Sequence, residues 1–182
     1  KNFNLIKTFI KHNKNIFVEK PGTTKLNELI KLKKDISKSN SKFMMGYIYC
    51  YNDFMKKIKS VLDKKLLGKI LYINFQRQNL GPIRNDVDVD YDLTSHDISI
   101  LYNLFNKLPT LVSKKKYSFL KKKIPDISNL HLKIDKIQID INNSWINPNK
   151  IRKITIIGSK RMLLFNELDI EKPLTIFNQY AK

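Results

Sequence analysis

The sequence predicts an α/β chain in two parts. A helix–strand–helix–strand run fills residues 1–52, and an α+β domain with an open-faced, mostly antiparallel sheet fills residues 53–182. Two observations carry this. Up to Tyr51, short apolar runs alternate with amphipathic helices across short connections, the rhythm of a parallel α/β sheet. After Pro109, alternating apolar and polar segments succeed one another with no long helix between them, which suits an antiparallel or mixed sheet with one open face.

Residues 3–12 read as a helix, with Phe3, Ile6, Phe9 and Ile10 on one stripe. Asn13-Lys14-Asn15 breaks it. Ile16-Phe17-Val18 reads as a strand buried on both faces, closed by the turn residues Glu19-Lys20-Pro21-Gly22. Thr24 is placed to cap a second helix whose stripe is Leu26, Leu29, Ile30 and Ile36. Residues 43–51 read as a second strand. Ligands of parallel α/β sheets sit at the carboxyl ends of strands, here Glu19-Lys20 and Tyr51-Asn52. Residues 53–64 form a helix on Phe54, Ile58, Val61 and Leu62, which Gly68 closes. Residues 69–78 alternate as a strand, with Leu71, Ile73, Phe75 and Arg77 on one face. A loop over 79–91 and a helix to about Phe105 follow. Strands are expected at 110–120, 130–142, 151–158 and 162–165. The run Lys121-Lys122-Lys123 reads as a solvated hairpin loop and Trp145 as a packing anchor at a turn.

Composition narrows the function classes. The formal charge is +19, yet only four of the 35 basic residues are arginine (Arg77, Arg84, Arg152 and Arg161). Lysine spread over every segment lacks the fork geometry that base and phosphate recognition favours, so no specific nucleic-acid partner is expected. No apolar run approaches the ~18 residues of a membrane span, and nothing resembles a signal peptide. The single cysteine, Cys50, cannot form an internal disulfide, so a cytoplasmic protein is expected. His12, His96 and His131 have no clustered partners at ligand spacing, so no metal site is expected.

The chemistry concentrates in Asp90-Tyr-Asp-Leu-Thr-Ser-His-Asp-Ile98, which runs straight into an apolar helical pattern. Asp92 and His96 are four apart and share a face if the helix begins near Asp92. A carboxylate beside an imidazole favours its charged form and fixes its orientation, as general acid–base work requires. The competing account is a helix start with acidic residues in its first turn, where the helix dipole favours them.

Six motifs in order resemble the Gfo/Idh/MocA family of NAD(P)-dependent sugar oxidoreductases. They are Asn15-Ile-Phe-Val-Glu-Lys-Pro21, Gly46-Tyr-Ile48 through Tyr51-Asn52, and Leu67-Gly-Lys-Ile70. Asn79-Leu-Gly-Pro-Ile-Arg84, Asp92-Leu-Thr-Ser-His-Asp-Ile98, and 154–164 with Gly158-Ser159-Lys160 complete the set. The resemblance implies that residues 1–52 are the C-terminal portion of a Rossmann dinucleotide-binding domain, and that 53–182 form an incomplete substrate-binding and oligomerisation domain. The family's glycine-rich turn would then lie upstream of Lys1, and its second domain would continue past Lys182. The activity implied is hydride transfer between a carbinol carbon of a sugar, or of a nucleotide sugar, and NAD or NADP.

By that resemblance Lys20 stabilises the reacting oxygen, His96 is the general base, and Asp92 is its partner or a substrate acceptor. Glu19, Lys20 and Asn79 contact the cofactor, and Arg77, Arg84, Asp92 and His96 contact substrate. For Arg84 a loop salt bridge with Asp86 or Asp88 is an equal expectation, and Asp97 is expected to stabilise the helix start. Tyr47 and Tyr49 are expected to pack in their strand. Asp53, Cys50 and Ser99 depart from the common family pattern, which leaves the sugar open. Association with a second copy through the open sheet face is also implied. The alternative is a degenerate oxidoreductase-fold module acting only as an interaction partner.

Overall fold

The computed structural model describes residues 2–81 and 83–178. Pro82 of the 79–84 motif and residues 179–182 of the closing segment lie outside the described residues. The chain divides into two units, Lys1–Ile48 and Tyr49–Lys182.

In the first unit, β1 (Ile16–Val18) and β2 (Phe43–Met45) pair in parallel, with Ile16 opposite Phe43 and Val18 opposite Met45. Helices α1 (Asn2–Lys11) and α2 (Leu26–Ser37) cover one face, where Ile6, Ile10, Ile16 and Leu32 are buried. The other face is not buried as expected: Phe17 is exposed, as is Met44 beside it. The α2 stripe differs too. Only Leu32 is fully buried, while Leu26, Leu29 and Ile30 are exposed. Its N-cap is Lys25 rather than Thr24, and the Lys25 N–H donates to the Thr23 hydroxyl at 3.2 Å.

The expected strand over 43–51 is cut to three residues, because a 3-10 turn (Ile48–Tyr51) follows it. In the second unit this turn leads to Asn52, which caps α3 (Asp53–Asp63) by accepting from the Phe54 N–H at 2.8 Å. Then come β3 (Ile70–Leu80), a π-helical turn (Asp90–Thr94) and α4 (Ser95–Phe105). The rest is strand: β4 (Thr110–Tyr117), β5 (Ile127–Ile134), β6 (Ile137–Ser144), β7 (Ile146–Gly158), β8 (Met162–Asn166) and β9 (Leu174–Phe177). The single strand expected over 130–142 is in fact the β5–β6 hairpin. Its Asp135 adopts a left-handed turn (φ 53°) without glycine or proline to signal it.

The sheet order is β4-β5-β6-β3-β7-β8-β9, antiparallel throughout except for the parallel β6–β3 pair. Period-two alternation puts matched rows on one face. Leu132, Ile139, Ile73, Ile156 and Leu163 form one buried row, and Leu130, Ile141, Phe75, Ile154 and Phe165 the next. Met55 and Ile58 of α3 and Ile100, Leu101 and Leu104 of α4 complete this core. At ~1.5–3 kcal/mol per buried aliphatic or aromatic side chain, these rows supply the main folding drive of the unit. The opposite face carries half-exposed Tyr72, Ile157 and Leu164, while a register shift after Ile70 turns Ile70 back onto the core. No helix among the described residues is long and apolar enough to cross a membrane.

Candidate active site

The third row of the buried sheet face changes character. Following the apolar rows in register come Ser128, Asn143, Arg77 and Arg152, all polar, and they lie towards the start of α4. Arg77 is in phase with Ile73 and Phe75, so its side chain enters the interior and is 5 % exposed. Asp97 is in phase with Ile100, Leu101 and Leu104 along α4 and is fully buried. The two meet: Arg77 Nε donates to Asp97 Oδ1 at 2.5 Å, and an Arg77 terminal nitrogen donates to the Tyr49 hydroxyl at 2.7 Å. That hydroxyl donates in turn to Glu167, 2.8 Å from Oε2, and the Arg77 guanidinium lies 4.2 Å from the Tyr49 ring centre.

Burial opposes both charges of the pair. For Asp97 burial wins and pushes the carboxyl up, against the pull of Arg77. For Arg77 the Asp97 carboxylate more than offsets burial, and the guanidinium is held above its ordinary value. Burial also pushes the Tyr49 phenol up. Arg77, expected at the substrate, has a buried guanidinium engaged by Asp97 and Tyr49. Asp97 does lie in the first turn of α4, but its carboxylate holds Arg77. Tyr49 does not pack in a strand, since it sits in the 3-10 turn with its hydroxyl in this network.

The π-helical turn carries the candidate site residues. The Ser95 N–H reaches back five residues to the Asp90 carbonyl, which widens the coil directly before α4. Asp92 is fixed from two sides: Trp145 Nε1 donates to Oδ2 at 3.1 Å, and Arg84 donates to Oδ1 at 3.4 Å. Trp145 is buried with Val89 and Leu93, so the indole packs the turn as well as bonding it. Arg84 grips Asp86 with two parallel hydrogen bonds of 2.9 and 2.7 Å, the loop salt bridge that competed with a substrate role. One turn on, the half-buried His96 ring meets the Tyr49 ring edge-to-face at 5.3 Å between centres. Asp90 anchors the start of the turn: Lys116 pairs with it at 2.8 Å, Lys114 pairs with it too, and the Thr94 hydroxyl donates to it at 3.1 Å. At the end of β3, Asn79 accepts from Arg152 at 3.2 Å.

In the first unit, Glu19 and half-buried Lys20 follow β1, and the Lys20–Pro21 bond is cis. Gly46, just past β2, lies so close that a Cβ there would stand 3.1 Å from the Glu19 carboxylate. Two further histidines find partners. His12 Nδ1 lies 2.8 Å from the Thr8 carbonyl, and His131 lies 2.6 Å from Asp140 across the hairpin. Among the described residues no three His, Cys, Asp or Glu side chains cluster as a metal site.

No protein-family model matches this sequence, and no curated protein does. Solved structures match over its full length. An inositol dehydrogenase homolog from Azotobacter vinelandii, complexed with NADH and myo-inositol, superposes with TM-score 0.86 at 17 % identity. The WlbA dehydrogenase from Bordetella pertussis, complexed with NADH and UDP-GlcNAcA, gives 0.86 at 14 %. The fold is that of the Gfo/Idh/MocA-type oxidoreductases. A probable dehydrogenase from Thermotoga maritima follows at 0.82 and 16 %. All three matches cover 100 % of this chain but only 52 %, 57 % and 61 % of the respective neighbours, so the chain spans little more than half their length. Its parallel pair and mostly antiparallel sheet correspond to the C-terminal part of that fold.

Proposed function

We propose that the chain belongs to an NAD(P)-dependent oxidoreductase that moves a hydride between a carbinol carbon of a sugar, or nucleotide sugar, and a nicotinamide. One observation carries this reading. Asp92 stands on a π-helical turn and His96 in the first turn of α4 directly after it, where the Trp145 indole holds the one and the buried Arg77–Asp97 pair the other. Such turns concentrate where a side chain must be aimed. Neighbours of the same fold were solved with NADH beside myo-inositol or UDP-GlcNAcA, which supports the substrate class.

The roles follow from the chemistry of each group. The His96 imidazole takes the proton of the reacting hydroxyl, and Asp92 orients it or accepts from a neighbouring hydroxyl. The Lys20 ammonium stabilises the oxygen as it gains negative charge. Asp92 and Arg84, linked at 3.4 Å, offer an acceptor and a donor to the substrate. The carboxyl ends of β1 and β2 suit the nicotinamide end of a dinucleotide, with Glu19 and Lys20 as contacts; the resemblance makes Asn79 a cofactor contact as well. The glycines, at 22, 46, 68, 81 and 158, never take the G-x-G-x-x-G spacing, so these residues do not supply the pyrophosphate cradle. When bound, the nicotinamide supplies the hydride chemistry. The half-exposed Tyr72, Ile157 and Leu164 suit the outer sheet face to association with a second copy.

The test uses the complete gene product with NAD or NADP and a panel of sugars and nucleotide sugars. Lys20→Ala and His96→Ala should each lower kcat by at least about 100-fold, the range of a lost proton-transfer group. Undiminished turnover in either variant would sink the assignment of that residue.

A further inference from the structure

We propose that Tyr49 and Asp97, joined through Arg77, are positioning residues that hold the His96 ring in its working orientation. The inference rests on His96 being the proton-transfer group. Three of its supports are independent of that role. The Tyr49 ring meets His96 edge-to-face. The Tyr49 hydroxyl cannot swing, because it accepts from Arg77 at 2.7 Å and donates to Glu167 at 2.8 Å. Asp97, the residue after His96, is pinned by Arg77 from β3, so the backbone that carries the imidazole is fixed from the other side.

The network therefore clamps one imidazole between an aromatic wall and an anchored helix start. The clamp spans elements far apart in sequence: the 3-10 turn, β3, α4 and the segment beyond β8. A surface histidine at a helix start would need none of it, since water alone would solvate the ring. The ionisable groups these elements bring together are Tyr49, Arg77, Asp97, Arg152 and Glu167, with Asp92 one turn before His96. Removing the Asp97 charge, one residue after His96, takes a carboxylate from the local field and leaves the Arg77 cation with Glu167 at 3.9 Å as its remaining counter-charge, which disfavours the imidazolium. Removing the Tyr49 hydroxyl releases the wall while keeping its shape.

Imidazole NMR titration of this chain tests the proposal without substrate or cofactor. The three histidines give few resonances, and His96→Gln assigns its own. In Asp97→Asn the His96 titration midpoint should fall by about half a unit or more. In Tyr49→Phe the His96 ring resonances should shift and broaden. The resonances of His12 and His131 should stay in place in both variants. Unchanged His96 resonances and midpoint in folded Tyr49→Phe would overturn the proposal, and this variant decides alone if Asp97→Asn fails to fold. Turnover by the His96→Gln complete enzyme would instead overturn the proton-transfer role, a separate readout from the titration.

Discussion

Truncating Asp97 should destabilise the second unit far more than deleting the whole ion pair. Asp97→Ala leaves the Arg77 guanidinium 5 % exposed, with the Tyr49 hydroxyl at 2.7 Å and the nearest Glu167 oxygen at 3.9 Å as its remaining partners. Stranding a buried charge costs about 3–5 kcal/mol. At roughly 4 °C per kcal/mol for a unit of this size, the midpoint should fall by roughly 12–20 °C. The double variant Arg77→Leu/Asp97→Leu removes both charges and restores apolar volume, so it should recover most of that loss. Trp145 is the only tryptophan and is 1 % exposed within the same unit, so its fluorescence in urea follows this unit's unfolding. A cost under about 1 kcal/mol for Asp97→Ala, or a double variant no more stable than the single, would refute the account of a buried, mutually dependent pair.

Two further outcomes are expected. At Gly158 a Cβ would stand 2.2 Å from the Leu67 carbonyl oxygen, a backbone atom that cannot rotate away, so Gly158→Ala should cost at least about 1–3 kcal/mol in urea unfolding; an unchanged midpoint would count against the tight β7 contact. Burial raises the Asp90 carboxyl, but the Lys114 and Lys116 ammoniums bring it net below its ordinary value. Its contribution is thus complete above about pH 4 and lost as pH falls through the lowered native value. Asp90→Asn should therefore flatten the fall of the urea midpoint below about pH 4, and equal slopes in the two proteins would refute this.

Much of the buried network was legible in phase. The alternation of β3 set Arg77 beside Ile73 and Phe75, and the helical period of α4 set Asp97 beside Ile100, Leu101 and Leu104. Strand-end position suggested a substrate contact for Arg77, while the period of two set it in phase with Ile73 and Phe75, and its side chain is buried. Asp140 stands nine residues from His131, a spacing that suggests no contact until the hairpin folds them together. That hairpin escaped detection because its turn rests on Asp135 in a left-handed conformation, with no glycine, proline or Asn-Gly pair to mark it. The exposure of Phe17 and of Leu26, Leu29 and Ile30 was likewise unreadable, since an apolar stripe records hydrophobicity and not what covers it.

The sequence by itself determined the four helices in order, the change from α/β to sheet after Pro109, and the crowding of Asp92 and His96 at a helix start. Local periodicity and turn chemistry suffice for those. Only the tertiary structure decided that β3 and β6 run parallel, that the coil at Asp90–Thr94 is a π-turn, and that Tyr49, Arg77, Asp97 and Glu167 form one buried network. Those contacts join segments up to 118 residues apart, and their register is set by which strands pair and by what burial costs an unpaired charge.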